Sequence, residues 1–357
     1  MLLAHKPKEI PEMNQKTLSM PLGGVATVAS DKTLFIVWKV YQRRVEAIKE
    51  KLNAQPVYLH YHWEEKSKLH KLVSYVFKIE ATYKALFTVK PHLFYIQAPP
   101  AFLLYAVWLY SKVTGARYVI DAHNSIIDGS LWSRMPFVRH TMKQAATVLV
   151  HNEEMAVHAL RSKLPHTVLM DRPPEVEPMN YPYPANILGD RTRPKVVIPC
   201  SYDTDEPLEE MRQATLLLPH VDFYITWYAE KLPAAYVAGF KKNTRFTGFL
   251  QQAEFDALLA NADAILVLTT REGTQPSGAT EALAFEKPLV VSDLGIIRRM
   301  FPKGAIYIGN TASDIAVGIS KALERRDQLV EEMKEFKEEK VRLWEGQFDN
   351  LRRVTGC

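Results

Sequence analysis

Compact apolar runs alternate, in the first half of the chain, with stretches whose apolar positions recur every three or four residues. Residues 33–38 (TLFIVW) form the first strand-like run, and helical spacing follows over 41–52. A second strand is predicted at 56–63 and a long amphipathic helix, basic along one side, at 66–90. Then come a strand at 92–98, a helix at 101–114, strands at 118–122 and 147–151, and a helix from Glu153. Strands alternating with helices of this length imply right-handed βαβ units and a mostly parallel sheet.

The pattern breaks at 171–194, a proline-rich stretch with little periodicity that reads as an interdomain linker. It restarts with strands at 195–200, 222–227, 245–247, 264–269, 289–292 and 305–308, and with helices opening at Asp205 and covering 252–261. From Asp314 the chain reads as helical, with a solvated mixed-charge run over 331–340. Trp344 and Phe348 lie four apart, so both face one side and are expected to be buried. At 357 residues the chain suits two cores better than one. The fold class predicted is α/β, with two Rossmann-like domains.

Composition changes this picture in two respects. The two cysteines, Cys200 and Cys357, supply neither a disulfide framework nor a zinc cage, which points to a reducing, cytoplasmic setting. Charge is uneven: residues 1–170 hold 22 Lys/Arg against 12 Asp/Glu, and 171–357 hold 23 against 28. A basic first half suits an anionic membrane surface, a phosphorylated acceptor or nucleic acid. The most apolar stretch, 101–110, is too short to span a bilayer, and 1–13 has no signal-peptide run.

The most informative segment is 266–293, LVLTTREGTQPSGATEALAFEKPLVVSD. A buried strand gives way to a loop holding Arg271, Glu272, Gly273 and Thr274, and a helix opens at Ser277, Gly278 and Ala279. Small residues admit a ligand to the backbone, and a helix N-terminus offers unbonded amides and positive potential. A diphosphate fits that chemistry. Glu281, one turn in, would accept hydrogen bonds from sugar hydroxyls. Two other patterns read as structural. Asp203 and Asp205 have the DxD spacing of a metal motif, but Asp205 is expected to cap the helix before Pro207. His60 and His62 would share one face of a strand, without a third ligand nearby. Neither a G-x-G-x-x-G after a strand nor a P-loop is present.

The 266–293 segment resembles the donor-binding motif of the group 1, GT4-like glycosyltransferases in Glu272, Gly273, Gly278, Glu281, Ala282, Lys287, Pro288, Val290, Val291 and Ser292. It departs in spacing, with one residue more between Glu272 and Glu281 than the family's pattern. The stretches 97–100 (QAPP), 115–124 (GARYVIDAHN) and 171–174 (DRPP) resemble the N-terminal domain of β-mannosyltransferases acting on chitobiosyl-diphosphodolichol. Residues 246–250 (FTGFL) resemble the segment that meets the nucleotide base, and the last helix resembles the tail that returns to the first domain.

The resemblance implies a GT-B fold: an acceptor-binding domain (1–175), a nucleotide-sugar-binding domain (176–335), a returning helix (336–357), and a ligand cleft between the domains. It implies transfer of a sugar from a UDP- or GDP-type donor to a glycan, lipid-linked glycan or small-molecule acceptor, as in polysaccharide biosynthesis. No cofactor or metal is expected. His123, Glu272 and Lys231 are the implied catalytic residues. Donor contacts are implied for Glu281, Ser277, Gly278, Ala279, Gly248, Phe249, Leu250, Arg271, Gly273 and Thr274, and acceptor contacts for Asn124, Arg43 and Arg44. The group 1 likeness implies retention of anomeric configuration and the mannosyltransferase likeness inversion; retention is the expectation. Nucleic acid is not expected as a partner; contact with the inner face of an anionic membrane is. A nucleotide-sugar epimerase and a catalytically silent GT-B subunit are the alternatives.

Overall fold

The computed structural model describes residues 33–127, 131–173, 176, 181–189, 191–272 and 276–356. The chain divides into two units, one of residues 1–171 with 344–357 and one of residues 172–343. The last helix therefore contributes to both units, which divide at 343–344.

In the first unit β1 (Thr33–Val37), α1 (Arg43–Lys49), β2 (Ala54–Tyr58), α2 (Lys68–Val89), β3 (Leu93–Ala98), α3 (Ala101–Thr114) and β4 (Arg117–Ala122) follow one another. They lead into α4 (Val138–Lys143), β5 (Thr147–Val150), α5 (Glu153–Arg161) and β6 (His166–Val168). Every strand pair is parallel, in the order β2-β1-β3-β4-β5-β6. A central strand covered on both sides is apolar throughout, as β1 is. Its Leu34 and Ile36 enter the core beneath α2–α5, while Phe35 and Val37 face α1 and the end of the chain. The elements not anticipated, α4 and β6, are six and three residues long, too short to carry a period.

The most buried row of helix α2 is largely polar, with Tyr75, Ile79, Tyr83 and Val89 packed on the core beside it. That row is Ser74, Lys78, Thr82 and Leu86, spaced four apart. Lys78 Nζ lies 2.7 Å from the Glu64 carboxylate, and Trp38 Nε1 donates to Thr82 Oγ1 at 3.1 Å. Such polar atoms are tolerated inside because they are paired. Glu64 belongs to a 3-10 turn, His62–Glu65. The expected strand at 56–63 ends at Tyr58, so His60 and His62 do not alternate along a strand; His60 Nε2 instead lies 3.2 Å from Glu65.

The second unit contains β7 (Lys195–Ile198), α6 (Leu208–Leu217), β8 (Asp222–Ile225), α7 (Ala234–Val237), β9 (Thr244–Phe246) and α8 (Gln252–Ala260). It continues through β10 (Ala264–Val267), α9 (Ser277–Ala284), β11 (Leu289–Ser292), α10 (Gly295–Met300), β12 (Ala305–Ile308), α11 (Ala312–Glu324) and α12 (Arg326–Thr355). Its sheet is parallel too, ordered β12-β11-β10-β7-β8-β9. This is the doubly wound Rossmann order.

Helix α12 serves both units through residues on one stripe. Leu329, Met333 and Phe336 are buried in the second unit's cores, and Trp344, Phe348 and Leu351 in the first unit's. Trp344 and Phe348 stack at 4.9 Å, as their four-residue spacing predicted. Lys51 Nζ sits 5.2 Å from the Trp344 ring centre and 2.7 Å from Glu345. Burying two such aromatic rings is worth about 3–6 kcal/mol to the first unit.

Candidate active site

In a doubly wound sheet ligands collect beyond the carboxyl ends of the strands, where the strand order reverses. In the second unit that point lies between β7 and β10. The loops leaving these strands are tied together by Asp205. Its carbonyl accepts from Thr270 N at 2.7 Å, and its carboxylate accepts from Thr269 Oγ1 at 2.6 Å. Thr269 N donates to Ser292 Oγ at 2.9 Å, Ser292 Oγ donates to Asn310 Oδ1 at 2.7 Å, and Asn310 Nδ2 donates to the Thr269 carbonyl at 3.1 Å. The ends of β7, β10, β11 and β12 thus share one hydrogen-bonded frame. Asp205 was expected to cap α6; the helix instead starts after Pro207, and the carboxylate is spent on Thr269. Glu206 shapes the same loop, accepting from Ser201 N and Asp203 N at 3.0 Å.

The frame leads into the loop before α9. Arg271 and Glu272 are exposed there, with Arg271 N donating to Thr269 Oγ1 at 3.1 Å. Gly273 and Thr274, both expected donor contacts, lie outside the described residues. Helix α9 has Pro276 at its N-cap and no side-chain cap hydrogen bond among the described residues, and the Ala279 N–H donates to the Pro276 carbonyl at 3.3 Å. Ser277 is exposed, whereas Gly278 and Ala279 are buried. A Cβ at Gly278 would stand 3.0 Å from Val267 Cγ2 and 3.2 Å from Pro199. The glycine therefore lets α9 close onto the ends of β7 and β10, rather than only leaving room for a ligand. Glu281, one turn on, is half-buried and engaged by neighbouring groups.

Lys231, Tyr228 and Gly248 come together beside β8 and β9. The exposed Lys231 places Nζ 4.1 Å from the Tyr228 ring centre. Gly248, at φ +67°, donates its N–H to the Trp227 carbonyl at 3.1 Å, and a Cβ there would stand 3.6 Å from the Tyr228 ring. Trp227 is stacked on Tyr202 at 6.4 Å. Phe249 is 53% exposed, and Leu250 packs on the core below.

In the first unit the order reverses between β1 and β3, and a second polar cluster sits there. Asp121, at the end of β4, is fully buried. It accepts from Arg44 Nε at 2.9 Å and Gln97 Nε2 at 3.2 Å, with His151 Nε2 at 3.6 Å. Burial opposes its charge, but the Arg44 guanidinium prevails and holds the carboxyl at about 2. Burial likewise weighs against the Arg44 charge, and its two carboxylate partners more than offset it. Arg44 also donates to Asp171 at 2.6 Å and to the Leu169 carbonyl at 2.6 Å. Arg44 was expected at the acceptor; its guanidinium is instead buried and satisfied inside the unit, where it locks α1 to the end of β4.

His123 follows this strand. Its N–H donates to the Ala98 carbonyl at 2.9 Å, its Nε2 lies 3.4 Å from Gln42 Nε2, and its ring is 5.3 Å from that of His151. Burial depresses its pKa to about 4 against the pull of Asp121, so the imidazole is neutral at pH 7. Asn124 opens a 3-10 turn and Arg43 opens α1; the side chains of both lie outside the described residues. His151 and Gln42 escaped the sequence reading, and Gln97 entered it only as part of the 97–100 stretch, without a role. All three stand at strand ends or just after β1, the one signal that could have found them.

Two parallel six-stranded sheets, one in each unit and both covered by helices, give the chain the GT-B class of fold. Residues 226–340 of the second unit match the family model of glycosyl transferases group 1. Solved structures of the same fold include sucrose-phosphate synthase from Thermosynechococcus elongatus, with a TM-score of 0.63, 11% identity, and coverage of 91% of this chain and 98% of that one. The Anabaena protein HepE in complex with UDP-glucose aligns at a TM-score of 0.60 and 11% identity, over 90% of this chain and 99% of that one. The lipopolysaccharide outer core galactosyltransferase WaaB, in its apo form, aligns at 0.57 and 14%, over 91% and 99%. Comparison with the curated proteins yields no match.

Proposed function

We propose that the chain is a metal-independent, retaining glycosyltransferase whose second unit holds a nucleotide-diphosphate sugar and whose first unit presents the acceptor. The observation that carries this reading is the uncapped N-terminus of α9 at the β7/β10 reversal point, with Glu281 one turn behind it. The diphosphate sits on the amides of Ser277–Ala279 and Glu281 accepts from the ribose hydroxyls. The base rests along Gly248–Leu250. Lys231 or Arg271 neutralises the charge that develops on the departing diphosphate. This is the work a metal does elsewhere, and the Asp205 carboxylate is already committed to Thr269. Glu272 contacts the donor sugar, and a neutral His123 exchanges a hydrogen bond with an acceptor or sugar hydroxyl. That HepE is solved with UDP-glucose supports a UDP-type donor.

A thermal-shift screen with UDP, GDP, ADP and their sugars, followed by an assay of the stabilising sugar with and without EDTA, tests this reading. A ligand at a hundred times its Kd adds about 2.7 kcal/mol, which raises Tm by several degrees. The expected result is stabilisation by uracil or guanine diphosphates and transfer that survives EDTA. Loss of transfer restored by Mn²⁺ would return Asp203 and Asp205 to a metal role. Isomerised or hydrolysed donor with no acceptor product would make the chain an epimerase-like enzyme, and binding without turnover a silent subunit.

A further inference from the structure

In a neutral imidazole one ring nitrogen donates and the other accepts, and the neighbours of the ring decide between them. His123 Nε2 lies 3.4 Å from Gln42 Nε2. An amide nitrogen only donates, so the ring nitrogen facing it accepts and the proton belongs to Nδ1. Gln42 is held for this contact. It occupies the N-cap position of α1, yet its side chain makes no cap hydrogen bond and is left to reach the end of β4. Its carbonyl accepts from Glu46 N at 3.2 Å, and the His123 backbone N–H donates to the Ala98 carbonyl at 2.9 Å. Two residues along α1, Arg44 grips Asp121, two residues before His123, at 2.9 Å. Gln42–His123 and Arg44–Asp121 are thus successive rungs between the same two segments. Burial, reinforced by Lys39, His151 and Arg44, keeps the ring neutral against the pull of Asp121.

We propose that Gln42 is a positioning residue that fixes His123 as the Nδ1–H tautomer, so that the ring donates a hydrogen bond to a substrate hydroxyl oxygen. The lone pair that a general base needs is then already engaged at Nε2. The role of the hydrogen bond rests on the substrate contact proposed for His123, whereas the tautomer itself does not.

Nitrogen-15 NMR of the full chain, labelled in histidine, reads the tautomer, because the protonated and lone-pair nitrogens of an imidazole resonate far apart. His123→Asn identifies the signals. At pH 7 the expected result is a proton on Nδ1 and a lone pair on Nε2. Gln42→Glu keeps the shape but offers Nε2 only acceptors, so it should move the proton to Nε2 and raise the pKa of the ring. It should also lower kcat/KM by about tenfold or more. Gln42→Lys offers only donors; it should keep the proton on Nδ1 and lose less activity than Gln42→Glu, although it changes the shape more. A merely structural role for Gln42 predicts the opposite order. A proton on Nε2 in the wild type, a result that needs no variant, would overturn the proposal and leave the donor site of the second unit untouched. So would a Gln42→Glu protein with full turnover beside a crippled His123→Ala. Full turnover in His123→Ala would instead remove the histidine from the substrate, and the proposal with it.

Discussion

Glu281→Ala is expected to lower kcat/KM for the donor by about 10- to 100-fold, the loss of one or two hydrogen bonds to a charged acceptor. The fold should survive. Glu281 is only half-buried, and alanine is the better helix former inside α9. If the carboxylate holds the ribose in the ground state and the transition state alike, KM rises and kcat stays; if its grip tightens during transfer, kcat falls as well. Glu281→Gln keeps the shape but accepts less strongly, so it should fall between. Unchanged KM and turnover in the alanine variant would remove Glu281 from the site.

A second large effect is expected at Asp121, this time on stability. Asp121→Ala leaves the buried guanidinium of Arg44 with Asp171 and the Leu169 carbonyl only. Breaking a buried pair by removing one partner costs about 3–5 kcal/mol, because the remaining charge stays out of water. Adding Arg44→Met should recover part of that loss, which a general packing defect at Asp121 would not allow. The same cluster sets a pH dependence. Asp121 is held at about 2, below its ordinary 3.8, so its contribution is complete above about pH 4 and is lost as pH falls toward 2. His123 is depressed from 6.5 to about 4. Between those values the unfolded chain binds the proton and the folded chain does not, so stability declines as pH drops from 6.5 to 4. Denaturant melts at stepped pH should show both declines in the wild type, and His123→Asn should reduce the one between pH 6.5 and 4, to which His151, also depressed by burial, contributes.

Much of the architecture could be read from apolar periodicity. Central strands such as β1, β10 and β11 announce themselves as short β-branched runs, and α3 was placed to the residue. Short edge elements such as β6 carry no such signal. Helix α2 was legible as a helix but not in its orientation, since its inward row is largely polar and paired to Glu64 and Trp38, which lie outside the helix. The loop before α9 stood out as a candidate because glycine, proline and a helix start are local features. What holds it was not: Asp205, Thr269, Ser292 and Asn310 come from the ends of four strands and meet only once the sheet is assembled. Arg44 misled for the same reason, because a basic residue opening a helix looks solvent-facing until Asp121 and Asp171 are brought to it.

Crystals grown without ligand and soaked with UDP or GDP test the donor assignment most directly. Density for two linked phosphates within hydrogen-bond reach of the Ser277–Ala279 amides is the expected result. A diphosphate bound elsewhere on the second unit, with those amides turned to solvent or covered by side chains, would contradict it.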